Sequence, residues 1–151
     1  MHNSQSVHND SLTGASNAIE MADGKFFPSI TIHDGATIAG IVIHRNSFPK
    51  LVFEHASVAR TAGAEMAKYW LAGFKIQGAK KSENLGRTYA YVGRSSPGDT
   101  HSWEARLYRG GVFVGAIGGA ILDGQLRETA LDEMIRLQIE NRIDSGFGFQ
   151  P

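Results

Sequence analysis

A chain of 151 residues, 42% hydrophobic and 20% charged, has the size and composition of about one soluble globular domain, built on one core or on two small modules. Its 15 basic and 15 acidic residues balance, so no global charge argues for a polyanionic partner or a membrane surface. The absence of cysteine excludes disulfides, thiolate metal sites, cysteine nucleophiles and iron–sulfur clusters.

Residues 1–24 (MHNSQSVHNDSLTGASNAIEMADG) show no basic start followed by an apolar run. No secretory signal is read there, and a cytoplasmic location is the expectation. The same residues are rich in Ser, Asn, His and Gly without helical or strand periodicity, so they are read as a disordered tail. Two β-branched runs follow in FFPSITIHDGATIAGIVIHR, meeting at Asp34-Gly35. Asp-Gly between such runs predicts a hairpin, because a type I′ turn needs positive φ at both central positions. Residues 51–54 (LVFE) read as a third strand. Ser57 is the expected N-cap of a helix over residues 58–71, where Val58, Ala62, Met66, Tyr69 and Trp70 recur at helical spacing and Gly73 ends the run.

This hairpin-strand-helix unit ends in WLAGF, and over residues 30–74 it resembles the small strand-rich domains of betaproteobacterial hypothetical proteins. The resemblance carries no chemical motif and implies no particular activity; some proteins of that kind are noticed only as antigens.

The second half repeats the grammar. Strands are predicted at residues 87–94 (RTYAYVGR), 101–109 (HSWEARLYR) and 112–122, with turns at Ser96-Pro97-Gly98-Asp99 and Gly110-Gly111. A helix is predicted over residues 130–143, capped by Thr129, closed by Gly146, and facing inward through Leu131, Met134, Ile135, Gln138, Ile139 and Ile143. HDGATIAGIVI aligns with RGGVFVGAIGG, placing Ile41 against Ile117, and WLAGF aligns with RIDSGF. The expected fold is therefore α+β: a tail (1–24) and two antiparallel β-β-β-α modules (25–74 and 75–151) that form an internal repeat packed as one domain. The longest apolar run, residues 112–122, falls well short of the ~20 residues that span a bilayer, so no membrane partner is expected.

The glycine-rich segment RGGVFVGAIGGAILDG does not meet the needs of a phosphate loop. No Lys-Ser/Thr pair follows its glycines, and the GxGxxG spacing fails. A hairpin turn and strand faces that need small side chains account for it. His33, His44 and His55 stand eleven residues apart, but opposite ends of a strand are ~30 Å apart, so the three cannot share one ion. A pair of His33 and His55 with Asp34 is weighed against solvated loop histidines, and no metal or other cofactor is expected. SSPGDTHS gathers Ser, Asp and His in sequence, but catalytic triads are gathered by a fold and no GxSxG elbow is present. No catalytic residue is assigned.

Charge is unevenly distributed. Residues 74–110 hold seven basic and three acidic residues, whereas residues 111–151 hold three and six. Arg87, Tyr89 and Tyr91 alternate on one strand and so share a face. With Lys80, Lys81 and Arg94 they would form a basic, aromatic sheet surface of the kind that holds single-stranded nucleic acid. The competing expectation puts both tyrosines in the core and the lysines on a solvated loop. The leading expectation of function is a non-enzymatic interaction module, with an unknown protein partner or self-association, since the broad apolar stripe of the second helix offers an edge to a partner helix or a second copy. Weak single-stranded nucleic-acid binding is the alternative and a small hydrolase the third reading.

Overall fold

The computed structural model describes residues 4–9, 11–96, 101–121 and 128–146. The chain divides into two compact units, Met1–Gly73 and Phe74–Pro151. Each is a four-stranded antiparallel sheet in chain order followed by one helix, so the fold is α+β and both halves have the same order of elements.

In the first unit the strands are β1 (Gln5–Asn9), β2 (Leu12–Glu20), β3 (Phe26–Asp34) and β4 (Val42–Ser47), and the helix is α1 (Ala56–Leu71). The expectation of a tail over residues 1–24 is corrected by β1 and β2, which lie inside that segment; residues 1–3 and 10 are outside the described residues. The reason is side-chain size. Thr13, Gly14, Ala15 and Ser16 are all buried, yet none supplies the large apolar signal by which a buried strand is recognised. Gly14 and Ser16 are small because α1 lies close to their face of the strand. A Cβ on Gly63 of α1 would overlap the Ser16 hydroxyl, and one on Gly14 would stand 3.0 Å from Ala67. Ala59, Gly63, Met66, Ala67 and Trp70 form the buried helix face above Ile30 and Ile32.

Three local expectations also change. The N-cap of α1 is His55 in extended conformation, with no side-chain cap bond, and Ser57 lies within the first turn. Residues 51–54 are not a sheet strand; only Phe53 bridges, pairing with Phe26. Gly35 has the positive φ expected of it (116°), but β4 starts at Val42, so residues 35–41 form a longer connection than a two-residue turn. Gly73 closes α1 with φ 101°, as expected.

The second unit comprises β5 (Ile76–Lys81), β6 (Thr88–Ser96), β7 (His101–Arg109), β8 (Val112–Ile121) and α2 (Glu128–Ser145). The last three strands match the sequence reading. β5 adds a fourth, and its sequence IQGAKK has no alternation to announce it. Gly110 and Gly111 have φ of 59° and 83°, the two positive values that a type I′ turn demands, and they join β7 to β8 directly. Tyr89, Tyr91, Trp103, Ala105, Leu107, Ile117 and Ile121 form the sheet side of the core, and Leu131, Ile135, Ile139 and Ile143 the helix side. Met134, expected inward, is instead exposed, whereas Gln138 reaches the core side and accepts from Trp103 Nε1 at 2.7 Å.

Candidate interaction surface

The basic and aromatic residues singled out in the sequence do not form one surface. Tyr89 and Tyr91 are buried beneath α2, so neither offers a ring face to a base. This corrects the exposed-tyrosine half of the nucleic-acid expectation. Tyr91 is instead the centre of a polar network: its hydroxyl donates to Glu140 Oε2 at 2.5 Å and accepts from Arg136 Nη1 at 2.7 Å, while that same nitrogen donates to the Gln77 carbonyl at 2.8 Å. Burial, and next the hydrogen bond to Glu140, push the Tyr91 phenol well above its ordinary value, so it stands neutral.

The cations are dispersed. Lys80 lies opposite Tyr89 in the β5–β6 register and pairs with Asp144 at 3.8 Å. Lys81 is exposed at the end of β5 rather than on a loop, and Arg87 is exposed just before β6. Arg94 donates to Glu104 at 2.5 Å and places its guanidinium 4.5 Å from the centre of the Phe74 ring. Cationic groups held by acids and a ring in this way are partly spoken for before any phosphate arrives.

The histidines serve local structure. His33 Nδ1 donates to the Gly40 carbonyl at 3.0 Å, which leaves Nε2 to accept from the Thr31 hydroxyl at 2.8 Å. Thr13, opposite His33 in the register, donates to the Gly35 carbonyl at 2.9 Å, so residues 35–41 are tied down over β2 and β3 from two sides. His44 stacks on Trp70, with ring centres 4.9 Å apart, on the other face of the sheet. Among the described residues no three His, Asp or Glu side chains gather as a metal site requires. Of SSPGDTHS, residues 97–100 lie outside the described residues.

The feature that sequence reasoning missed is apolar and exposed. Six of the twelve exposed large apolar side chains among the described residues lie on the third-to-fourth-strand connection or at the start of the fourth strand: Ile38, Ile41, Val42 and Ile43 in one unit, Val112 and Phe113 in the other. These are the two segments that align in the sequence, but the aligned pair diverges: Ile41 is 78% exposed and Ile117 only 4%. Phe113 is held from behind by Tyr108 in an edge-on contact (5.7 Å) and by Arg106, 5.8 Å from the ring centre, yet remains half exposed. The apolar run IVI was visible in the sequence, but a strand run signals burial as readily as exposure.

Both connections lead into edge strands, since β4 and β8 each end their sheet. The glycines of the β7–β8 hairpin have structural roles, as expected. Gly110 and Gly111 make the turn, and Gly119 leaves room for Trp103, whose ring would stand 2.8 Å from a Cβ there. No helix among the described residues is long and apolar enough to cross a membrane. Comparison with protein-family models, curated proteins and solved structures finds no match to the chain.

Proposed function

We propose that the chain is a non-enzymatic interaction module that takes a protein partner on the apolar third-to-fourth-strand connections and the edge strands they lead into. The observation that carries this reading is the concentration of exposed Ile38, Ile41, Val42, Ile43, Val112 and Phe113 at equivalent places in the two units. Exposed apolar groups that cluster mark interaction sites, whereas single scattered ones are ordinary. An open edge supplies backbone donors and acceptors for an added strand, and neighbouring apolar side chains supply the burial. The nucleic-acid alternative lacks its stacking platform, because Tyr89 and Tyr91 are core residues.

Panning a random peptide library against the immobilised protein tests the proposal. Extended apolar sequences are expected to be enriched, and their binding is expected to fall when Ile41→Asp and Ile43→Asp, or Phe113→Asp, are introduced. Failure to enrich any sequence, or binding indifferent to all three changes, would count against it.

A further inference from the structure

We infer that β8 is the edge along which a second copy of this chain pairs, antiparallel about a two-fold axis, so that two four-stranded sheets become one of eight strands. This rests on the interaction reading above and names its partner. β8 ends its sheet, and over ten residues, VFVGAIGGAI, it has neither a charge nor a proline. It therefore lacks two common devices that keep an edge from pairing, and a second copy brings no like charge against it along that length.

The register follows from the backbone and the neighbouring charges. Arg142 Nη1 of α2 donates to the Gly118 carbonyl at 3.0 Å, so that carbonyl points away from β7. With the period of two along a strand, the backbone groups of Ala116 and Ala120 point the same way. A second β8 can make ladder hydrogen bonds only in registers that set these residues opposite one another. In the β7–β8 pairing Arg106 stands beside Ala116 and Glu104 beside Gly118, both charges being exposed on the sheet face away from α2.

Setting Ala116 opposite the copy's Ala116 would align Arg106 with Arg106. Setting Gly118 opposite the copy's Gly118 would align Glu104, already paired with Arg94, with the copy's Glu104, and leave each Arg106 in line with the copy's Ser102 and no acid. The register between these, centred on Ile117, aligns Arg106 with the copy's Glu104 and, by symmetry, does so twice. Only Ala and Gly side chains stand between the opposed charges in those rows. The Arg142 bond to Gly118, which is exposed, is exchanged for an interchain backbone bond.

Helix α2 supports a second copy over a lone foreign strand. Gln138 reaches Trp103 on β7 and Arg142 reaches β8, so the row Met134, Gln138, Arg142 runs along the helix flank nearest the edge. Met134, the apolar member of that row, is 39% exposed. A copy related by the two-fold carries its own α2 on the same side of the extended sheet, with its own Met134 turned to the axis. One partner thus accounts for the open edge, the alternating charges and the apolar helix flank together.

Sedimentation of the full chain over a range of concentrations tests this. A dimer is expected. Ala116→Pro, which removes an outward N–H that β7 does not use, is expected to leave the circular dichroism spectrum intact and abolish the dimer. Arg106→Glu or Glu104→Arg alone is expected to raise the dissociation constant about tenfold, and the two together to restore it. A monomer at every concentration, or a dimer indifferent to Ala116→Pro and to the charge exchanges, would overturn the inference. If the chain stays monomeric yet peptides still bind at Ile41, Ile43 and Phe113, the interaction reading stands and only the second copy falls.

Discussion

Gly78 and Tyr91 face each other across β5 and β6, and the Tyr91 phenol oxygen would stand only 2.5 Å from a Cβ on residue 78. The bare backbone of β5 thus makes room for the hydroxyl that links Arg136 to Glu140. Gly78→Ala is expected to destabilise by about 1–3 kcal/mol, as overpacking does, with a lower urea midpoint. Adding Tyr91→Phe should recover part of that loss, because the nearest conflicting atom is gone while ring Cζ, 2.8 Å from the added Cβ, remains. The double change is therefore expected to cost less than the sum of the singles.

The same phenol sets an alkaline limit. Its affinity for its proton is raised in the folded state, so the folded chain keeps that proton where the unfolded chain gives it up. This contribution is whole below the ordinary tyrosine value of 10.0 and is lost as pH climbs above it toward the folded value. Urea titrations of the protein and of Tyr91→Phe are expected to diverge only above about pH 10, the protein falling faster as its unfolded state loses the extra proton.

Ser16 is fully buried under α1, and its hydroxyl has no hydrogen-bond partner among the described residues. Removing an unsatisfied buried hydroxyl relieves a desolvation cost of about 1–3 kcal/mol, offset in part by the small void left behind. Ser16→Ala is therefore expected to be neutral or stabilising in thermal unfolding. Gly63→Ala, which drives a methyl into that hydroxyl, is expected to lower the melting temperature by several degrees.

His33 holds residues 35–41 through Gly40 and is itself held by Thr31. His33→Ala should free that connection without unfolding the sheet. Limited proteolysis is expected to cut within residues 35–41 faster in the variant than in the protein, with far-ultraviolet circular dichroism unchanged.

Tyr89 and Tyr91 lie in the core, so any affinity for single-stranded nucleic acid should contain no stacking on these rings. Fluorescence anisotropy at low salt is expected to give equal affinity for an oligonucleotide and its abasic counterpart. A base-dependent gain of about 1–3 kcal/mol per base would require another aromatic platform.

What was legible in the sequence was whatever depends on strong local signals. Gly110-Gly111, Gly73 and Gly146 mark their turn and helix ends by conformation, and all three sites have the positive φ expected. Trp70 and Ile139 are core residues, as their helical spacing implies. What escaped was decided by neighbours distant in sequence. β2 is a strand because α1 packs on its small residues, and Gly63 lies far from Ser16 along the chain. Tyr91 alternates with Arg87 as an exposed strand residue would, and only α2 puts it inside. Likewise IVI at the start of β4 reads as core until the edge position of that strand is known. Pattern reports periodicity, whereas the side of a sheet that is covered is a tertiary fact.

In each sheet the order of strands in space is their order along the chain. Every strand therefore meets its partner across a short connection, and the loop-closure entropy of each pairing is small. The four strands and α1 of the first unit all lie before Gly73. During synthesis that sheet and its helix are complete while most of the second unit has yet to be made, so no strand of the first unit waits for a later partner. The β8 edge, by contrast, emerges only after every other strand of its sheet is in place to receive it.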